Sequence, residues 1–327
     1  MACDMEETGY LLLATSKARL PRVRHEVELG KRLGFDLEFL EGGALREHVA
    51  SESFLAGAYD PHPFIVNPAK LARGLKTAVE QAGVRVFEQT PITKLDDGKT
   101  IAITTPGGNV SARAVVLAMN GYGAAMGFMG PRILPVHTYI VMTGPLSQTD
   151  LESTGWHKRR TSLETARNLI HYFRLTVDNR IVFGGEDADL YYGGVYRDTN
   201  DGMFAALERR FRAYFPSLRH VQITHRWGGV LGVTLDMFPT FGAGGDHGTI
   251  FHAAGYSGHG VSLSNYAGTL LAPRVLDALG VKHDLPVVEQ PFFYGRKPFP
   301  LPPDPVRYVG MQAYRCALKA QDTWQGA

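Results

Sequence analysis

A glycine-rich loop in the C-terminal half of the chain carries the strongest chemical signal in the sequence. Gly255, Gly258 and Gly260 have a G-x-x-G-x-G spacing, and they follow an apolar run at 249–254 that is typical of a short buried strand. Residues with helical spacing follow from Val261 onward. A helix that begins there would direct free N–H groups and the positive end of its dipole towards the loop, where glycines allow a flat or anionic group to lie against the backbone. The spacing alone is a weak motif, because an ordinary strand-to-helix turn can use the same residues.

Other residues around this loop extend the pattern beyond a single turn. They are Trp227-Gly228-Gly229, then Asp236, Pro239 and Gly242, and finally Gly255-Tyr256-Ser257-Gly258-His259-Gly260-Val261. In this order they resemble the FAD-dependent amine and amino-acid oxidoreductases of the D-amino acid oxidase and glycine oxidase type, and within that family the γ-glutamylputrescine oxidoreductases. The resemblance extends from about Thr8 to the C-terminus, so it covers nearly the whole chain.

This resemblance implies a mixed α/β (α+β) fold, in which an incomplete Rossmann-like FAD-binding domain is combined with an antiparallel-sheet substrate domain. The implied units are the FAD-binding domain (1–133 and 225–290), the substrate domain (134–224, which strands near 8–14 and 54–60 can join) and a C-terminal wrap and helix (291–327).

The resemblance also implies FAD as a non-covalent cofactor and the oxidation of a C–N bond of an amine or amino acid to an imine, by hydride transfer to the flavin. Water then hydrolyses the imine, and oxygen or another acceptor reoxidises the flavin. A γ-glutamylputrescine-like amine is the expected substrate, and a glycine- or sarcosine-type oxidase is the nearest alternative. A hypothesis of a different class is a non-catalytic scaffold or partner subunit.

Twelve positions match cofactor contacts in this family. They are Ile92, Asn120, Gly121, Gly228, Gly229, Gly255, Tyr256, Ser257, Gly258, His259, Gly260 and Val261. His259 either faces the pyrimidine side of the flavin, where negative charge grows on reduction, or is a turn histidine bonded to backbone. Trp227 either lines the active site or fills core beside a bend. No residue is assigned as an acid or base, because hydride transfer needs mainly a neutral amine and good alignment.

Tyr172 and Arg174 are the candidates for binding the substrate. They lie in a Tyr-Phe-Arg-Leu-Thr stretch that resembles one in the γ-glutamylputrescine-type enzymes. Alternation along a strand places both on one face with Phe173 opposite, and the guanidinium offers a fork to a carboxylate or amide. The alternative for Arg174 is a salt bridge with Glu186 or Asp187 inside the domain.

Hydrophobic periodicity and turn residues predict the elements that must position these groups. Helices are predicted at 17–33, 68–82, 199–215, 262–279 and 306–323, and Asn67 caps the second of them. Strands are predicted at 8–14, 36–40, 54–59, 84–88, 114–119 (as a central parallel strand), 135–145, 169–175, 180–184 and 249–254. The Tyr191-Tyr192-Gly193-Gly194 run is either a mobile lid or an ordinary loop.

A flavoprotein of this type begins with a strand, a G-x-G-x-x-G loop, a helix and an acidic residue, which together hold the dinucleotide. The first 60 residues contain no such spacing. Three interpretations stay open: a shortened open reading frame, a separate chain that supplies the unit, or a scaffold that has lost flavin binding. In each of them an apolar face would be left uncovered.

Composition narrows the function classes. Lys and Arg number 34 against 32 Asp and Glu without a basic run, so no nucleic-acid partner is expected. No apolar stretch approaches the roughly 20 residues that span a bilayer, and no signal-like segment opens the chain. Cys3 and Cys316 suggest neither a disulfide nor a covalent flavin bond, and the 12 histidines have no metal-ligand spacing, so no metal is expected. These features favour a cytoplasmic protein, and the family resemblance implies a small-molecule amine as its partner.

Overall fold

The computed structural model describes residues 1–126 and 131–326. Its strands are β1 (Glu6–Glu7), β2 (Tyr10–Ala14), β3 (Glu38–Glu41), β4 (Ala56–Asp60), β5 (Phe64–Ile65), β6 (Lys94–Asp96), β7 (Ile101–Thr105), β8 (Gly108–Ala112), β9 (Val115–Leu117), β10 (Leu134–Thr143), β11 (Ser162–Thr165), β12 (His171–Leu175), β13 (Ile181–Asp189), β14 (Ile223–Val233), β15 (Thr240–Gly244) and β16 (Ile250–Ala254). Its α-helices are α1 (Leu20–Arg32), α2 (Gly42–Arg46), α3 (Pro68–Gln81), α4 (Gln148–Ser153), α5 (Asp201–Tyr214), α6 (Gly260–Ala278) and α7 (Val306–Trp324).

The largest layer is an eight-stranded sheet with the strand order β14-β10-β13-β12-β11-β2-β4-β3. Neighbouring strands are antiparallel except β11 and β2, which are parallel. Strand β12 shows the alternation that the sequence predicts, because His171, Phe173 and Leu175 are buried while Tyr172 and Arg174 on the opposite face are half-buried. The buried face packs against α5 through a cluster of aromatic and aliphatic side chains. The other face packs against α1 at β2 and β4, and its part at β12 is available for a site.

A second layer contains the three-stranded sheet β15-β16-β9 and helix α6. Strand β16 pairs antiparallel with β15 and parallel with β9. Phe241, Phe251, Leu270 and Leu271 from these elements form a core separate from that of the large sheet. The mixed α/β class is confirmed, and so are the strand and the helix predicted on either side of the glycine-rich loop.

Helix α3 has the predicted boundaries but does not bury its apolar side. The Asn67 Oδ1 atom accepts the Lys70 N–H at 3.1 Å, Pro68 is the first helical residue, and Gly83 follows the helix with φ of +87°. None of the side chains of α3 is buried against the described residues. Because an amphipathic helix gains most of its stability by burying its apolar stripe, α3 presents an uncovered apolar face.

Two strand predictions are corrected. Residues 84–88 are irregular instead of forming a strand, and the Phe87 side chain is 68% exposed. The strand predicted at 114–119 is the three-residue β9, which is parallel as expected but lies at an edge, where Val116 is 46% exposed. An apolar sequence forms a strand only where a partner completes its hydrogen bonds, and across the described ranges β9 pairs with β16 alone.

Helix α7 is attached to the fold largely through charged groups. Its buried residue Asp322 pairs with Arg19 of the turn before α1 and accepts two backbone N–H groups, each at 3.0 Å. Two basic residues nearer its middle pair with Asp187 and Asp189 of β13. Buried carboxylates require such partners, because an unpaired charge is costly to remove from water.

His171 is fully buried between the large sheet and α5. Its Nε2–H donates to Glu186 Oε2 at 2.7 Å, and its Nδ1 accepts the Tyr214 hydroxyl at 3.0 Å. Arg210 Nε lies 3.5 Å from the same carboxylate oxygen. Burial lowers the pKa of His171 to about 4, and this outweighs the opposing effect of the Glu186 carboxylate. The imidazole is therefore neutral in the folded protein at pH 7.

We predict that the free energy of unfolding falls as the pH is lowered from 6.5 to about 4, with His171 as one cause. In this window the unfolded chain binds a proton at this imidazole and the folded chain does not, so protonation favours unfolding. The His171→Gln variant should lose roughly 1–2 kcal/mol of this pH dependence. Urea unfolding at pH 7 and pH 5 measures it, with His247→Gln, at an exposed histidine, as the control. Equal pH dependence in wild type and His171→Gln would contradict the assignment.

Candidate active site

The glycine-rich loop leads from β16 into α6 and leaves the helix N-terminus open. His259 occupies the N-cap position, no side chain caps the helix, and its first turn contains no acidic residue. His259 and Val261 are exposed. The first N–H groups of a helix have no intrahelical acceptor, so this end of α6 offers several donors and a positive dipole to an external group.

The three glycines of the motif serve different purposes. Gly255 has φ of +71°, and an added Cβ there would lie 2.7 Å from the Thr234 side chain, so packing within the protein explains it. Gly258 has φ of +100°, and no heavy atom of the described residues lies within 4 Å of the position of an added Cβ. At Gly260 the nearest such atom is 3.5 Å away. Gly258 is thus the glycine that keeps open space beside the helix end.

Tyr256 and Ser257 direct their side chains into the protein. The Tyr256 ring is buried against Phe241 at a centroid distance of 6.0 Å, and its hydroxyl donates to the Ala253 carbonyl at 3.3 Å. Burial raises the pKa of Tyr256 to about 12. Ser257 is buried with φ of +50°, and its N–H donates to the Gly232 carbonyl at 3.0 Å. Only the backbone of these two residues can therefore contact a group in the loop.

The loop is tied to the large sheet at one place, which we call the Asn120 corner (Asn120, Gly121, Gly232, Gly255 and Ser257). The Asn120 Oδ1 atom accepts the Gly255 N–H at 3.2 Å. An added Cβ at Gly232 would overlap this oxygen and lie 2.9 Å from Gly121 N. An added Cβ at Gly121 would lie 3.0 Å from the Leu231 carbonyl group. The corner thus brings the segment after β9, the end of β14 and the glycine-rich loop into direct contact.

The remaining candidate cofactor residues lie in different surroundings. An added Cβ at Gly228 would lie 2.5 Å from the Tyr139 ring, so this glycine is explained by packing within the protein. Gly229 faces open space. Trp227 is 40% exposed and pairs across the sheet with Ile140, so it is not a core residue. Ile92 is half-buried, two residues before β6.

An apolar groove of about 300 Å³ runs between α3 and the start of α6. Its walls are Pro68, Leu71, Ala72 and Leu75 of α3 and Gly260, Val261, Ser264 and Asn265 of α6. The uncovered face of α3 therefore borders the open N-terminus of α6. A smaller recess of about 10 Å³, enough for one water molecule, lies behind Asn120 and Gly123.

The structure places Tyr172 and Arg174 side by side on the face of the sheet that α5 does not cover. The Tyr172 hydroxyl lies 3.1 Å from Thr138 Oγ1, and its ring fills the space left by Gly184, where an added Cβ would lie 2.5 Å from the ring. Burial lowers the pKa of Arg174, while the nearby carboxylates of Glu6 and Asp4 oppose this shift.

The alternative salt bridge predicted for Arg174 is wrong. Glu186 instead pairs with His171 and Arg210, and Asp187 pairs with Arg315 and Lys319. Among the described residues, no carboxylate oxygen lies within 4.0 Å of the Arg174 guanidinium nitrogens. Its guanidinium is therefore available to an external acidic group.

Glu164 belongs to the same face, and the sequence analysis missed it. It lies directly opposite Tyr172 in the β11–β12 pairing. Burial raises the pKa of the Glu164 carboxyl, whereas a hydrogen bond from Tyr10 and the positive charge of His259 oppose this shift. The loop histidine and this carboxylate are thus close enough to interact electrostatically. The pairing of β11 with β12 and β2 reveals the residue, and no local motif marks it.

The Tyr191-Tyr192-Gly193-Gly194 run has the contacts of an ordinary anchored loop. The Tyr191 hydroxyl lies 2.6 Å from that of Tyr139, and the Gly193 N–H donates to Asp304 Oδ2 at 2.9 Å. The Tyr192 ring packs edge-on against Tyr308 at 5.7 Å. These contacts fix the run to β10 on one side and to the C-terminal segment on the other.

Residues 1–126 and 131–326 contain neither a metal-binding cluster nor a membrane-spanning helix. No group of three or more His, Cys, Asp or Glu side chains is arranged to hold a metal ion in this part of the chain. No helix within it combines the length and the apolar character that crossing a bilayer requires.

Comparison with known proteins adds three kinds of evidence. The model of a family described as FAD dependent oxidoreductase (DAO) matches residues 1–274. The chain is 29% identical to a probable oxidoreductase OrdL of Haemophilus influenzae (96% of this chain, 70% of the relative) and 31% identical to a gamma-glutamylputrescine oxidoreductase of Escherichia coli (83% and 62%). The chain thus spans less than two thirds of the length of the second relative.

Solved structures show the same fold at low sequence identity. Glycine oxidase from Geobacillus kaustophilus superimposes with a TM-score of 0.74 at 22% identity, over 87% of this chain and 74% of that chain. L-Proline dehydrogenase from P. horikoshii gives a TM-score of 0.71 at 20% identity, over 87% and 75%.

We predict that Gly232→Ala destabilises the protein by about 1–3 kcal/mol, because the added methyl group overlaps Asn120 Oδ1 at a backbone that cannot move freely. Gly229→Ala on the same strand meets open space and should change stability by less than about 0.5 kcal/mol. Chemical denaturation of the two variants measures the difference. Equal stabilities would show that the Asn120 corner is not tightly packed.

Proposed function

The chain belongs to the DAO family of FAD-dependent oxidoreductases, and from this premise we propose that it oxidises a C–N bond of an amine or amino acid to an imine, which water then hydrolyses. The expected substrate is a γ-glutamylputrescine-like amine, in polyamine catabolism in the cytoplasm. The similarity to the gamma-glutamylputrescine oxidoreductase of Escherichia coli supports this choice over a glycine- or sarcosine-type substrate. The free cysteines Cys3 and Cys316 are consistent with a reducing compartment.

The observation that carries the proposal is the open N-terminus of α6 beside Gly258. The residues present fit the ring end of a flavin, because an uncapped helix end and a glycine with free space can receive a flat group that becomes negatively charged. When bound, the flavin would accept the hydride from the carbon next to the substrate nitrogen. The chain contributes donors at Gly260 and Val261, and the charge of His259 when it is protonated.

The substrate would lie between this loop and the face of the large sheet that α5 does not cover. Arg174 would bind a carboxylate or amide through its guanidinium, and Tyr172, held by Thr138, would fix the orientation. Residues 1–133 and 225–290 would serve cofactor binding, while 134–224 would serve substrate binding. Strands β2, β4 and β14 lie in the same sheet as β10–β13, so the two units would share one continuous layer.

We further propose that a strand–loop–helix unit with a G-x-G-x-x-G sequence, on the same or another polypeptide, packs into the apolar groove between α3 and α6. Two features support this: α3 is amphipathic without a buried side chain, and the edge strand β9 has a free side next to exposed Val116. Such a unit would supply the anion-binding loop for the cofactor pyrophosphate. The alternative function, a non-catalytic scaffold, would leave this groove to a partner that carries no such loop.

The first experiment mixes the purified chain with FAD, removes free cofactor by gel filtration and records the visible absorbance. We expect a bound flavin that is bleached anaerobically by γ-glutamylputrescine, and much more slowly by glycine or sarcosine. Faster bleaching by glycine or sarcosine would favour the alternative substrate class. Protein that takes up no FAD even when the strand–loop–helix unit is supplied would support the scaffold instead.

We predict that Val261→Asp weakens FAD binding roughly tenfold without lowering the melting temperature. The carboxylate repels the carbonyl oxygens at the pyrimidine edge of the flavin, which carry partial negative charge. It also stabilises a helix N-terminus, so unfolding does not account for the loss. Thr269→Asp, at an exposed position further along the same helix, is the matched control. Unchanged FAD affinity in Val261→Asp would place the cofactor elsewhere.

A further inference from the structure

Two opposite charges lie near each other, without pairing, on the face of the large sheet that α5 does not cover. Glu164 faces Tyr172 across β11 and β12, and Arg174 follows Tyr172 by two residues on β12. The two residues are therefore diagonal neighbours, about 7–8 Å apart, with their Cβ atoms somewhat closer. Within the described ranges, neither side chain has an oppositely charged group within an N···O distance of 4.0 Å. Both are half-buried, so each charge has lost part of its hydration. Opposite charges act on them only at longer range, from His259 and Arg22 on Glu164 and from Glu6 and Asp4 on Arg174.

Different charged and polar groups surround Glu164 and Arg174. The groups that act on Glu164 are Tyr10 of β2, Arg22 and Glu26 of α1, and His259 of the glycine-rich loop. The carboxylates that act on Arg174 are Glu6 and Asp4 near the N-terminus. Glu164 thus lies towards the glycine-rich loop, and Arg174 lies towards the N-terminal residues Asp4 and Glu6.

A ligand that carries an ammonium and a carboxylate on one carbon would satisfy both charges together. We propose that Glu164 and Arg174 form a subsite for an α-amino-acid head group, with the ammonium at Glu164 and the carboxylate at Arg174, so that the preferred substrate is an amine linked to such a head. This deepens the proposed function and rests on it. It makes Glu164 a specificity-determining residue, whereas a neutral or purely acidic head would leave its carboxylate without a partner.

The test uses two amines that differ in one group. γ-Glutamylputrescine carries the full head, and N-glutarylputrescine has the same skeleton and carboxylate but lacks the α-ammonium. In the wild type we expect kcat/KM to be at least about tenfold higher for the γ-glutamyl compound. Glu164→Gln should reduce this preference to less than about twofold, mainly through KM. Arg174→Gln should lower kcat/KM for both compounds.

Controls separate this subsite from a structural role. Glu26→Gln removes an exposed carboxylate of α1 that also acts on Glu164, and it should keep the wild-type preference. Melting temperatures of all variants are compared. If Glu164→Gln does not fold, the comparison of the two amines in the wild type still decides, since equal kcat/KM values would overturn the subsite.

The outcomes also separate this inference from the proposed function. Turnover with the same preference in wild type and Glu164→Gln would overturn the subsite and leave amine oxidation standing. If the wild type oxidises neither amine, calorimetric binding replaces turnover as the readout. Tighter binding of the γ-glutamyl compound that depends on Glu164 would then support the subsite while the proposed oxidation fails. Equal binding, or no binding of either compound, would overturn the subsite.

Discussion

The Asn120 corner is the contact on which the arrangement of this protein depends. The large sheet and the small sheet have separate cores, and at this corner the glycine-rich loop is bonded directly to the end of β14. The Asn120 Oδ1 atom accepts the Gly255 N–H, and the Ser257 N–H donates to the Gly232 carbonyl. Side chains at Gly232 or Gly121 would separate these segments. The position of the α6 N-terminus relative to the sheet follows from these few bonds.

The corner places two surfaces next to each other whose polar or charged groups lack close partners among the described residues. One is the uncapped end of α6, whose donors and dipole favour negative charge. The other is the sheet face with Glu164, Tyr172 and Arg174, where neither charge has an ion-pair partner within 4.0 Å among the described residues. By contrast, the buried His171 and the charged residues of α7 that were described above have partners within the fold. Unsatisfied groups that are partly removed from water suit binding better than they suit stability.

Much of this fold could be predicted from local sequence signals. Asn67 with Pro68 marked the start of α3, alternation placed Tyr172 and Arg174 on one face, and glycine spacing marked the turn into α6. These features depend on residues close together in the chain. The predictions that failed depend on residues far apart in the chain. Residues 84–88 are apolar enough for a strand but have no strand partner among the described residues. Glu164 becomes a site candidate only through the pairing of β11 with β12. Local sequence could not distinguish Gly255, which packing requires, from Gly258, which faces open space.

Hydrogen–deuterium exchange with and without FAD tests most directly whether the open end of α6 receives the cofactor. The account predicts slower exchange in peptides that cover 258–263 when FAD is bound, because the N–H groups of the first helical turn gain an acceptor. Peptides from α7, which is attached to β13 through ion pairs with Asp187 and Asp189, should not change. Flavin-loaded protein with unaltered exchange at 258–263 would contradict the central claim.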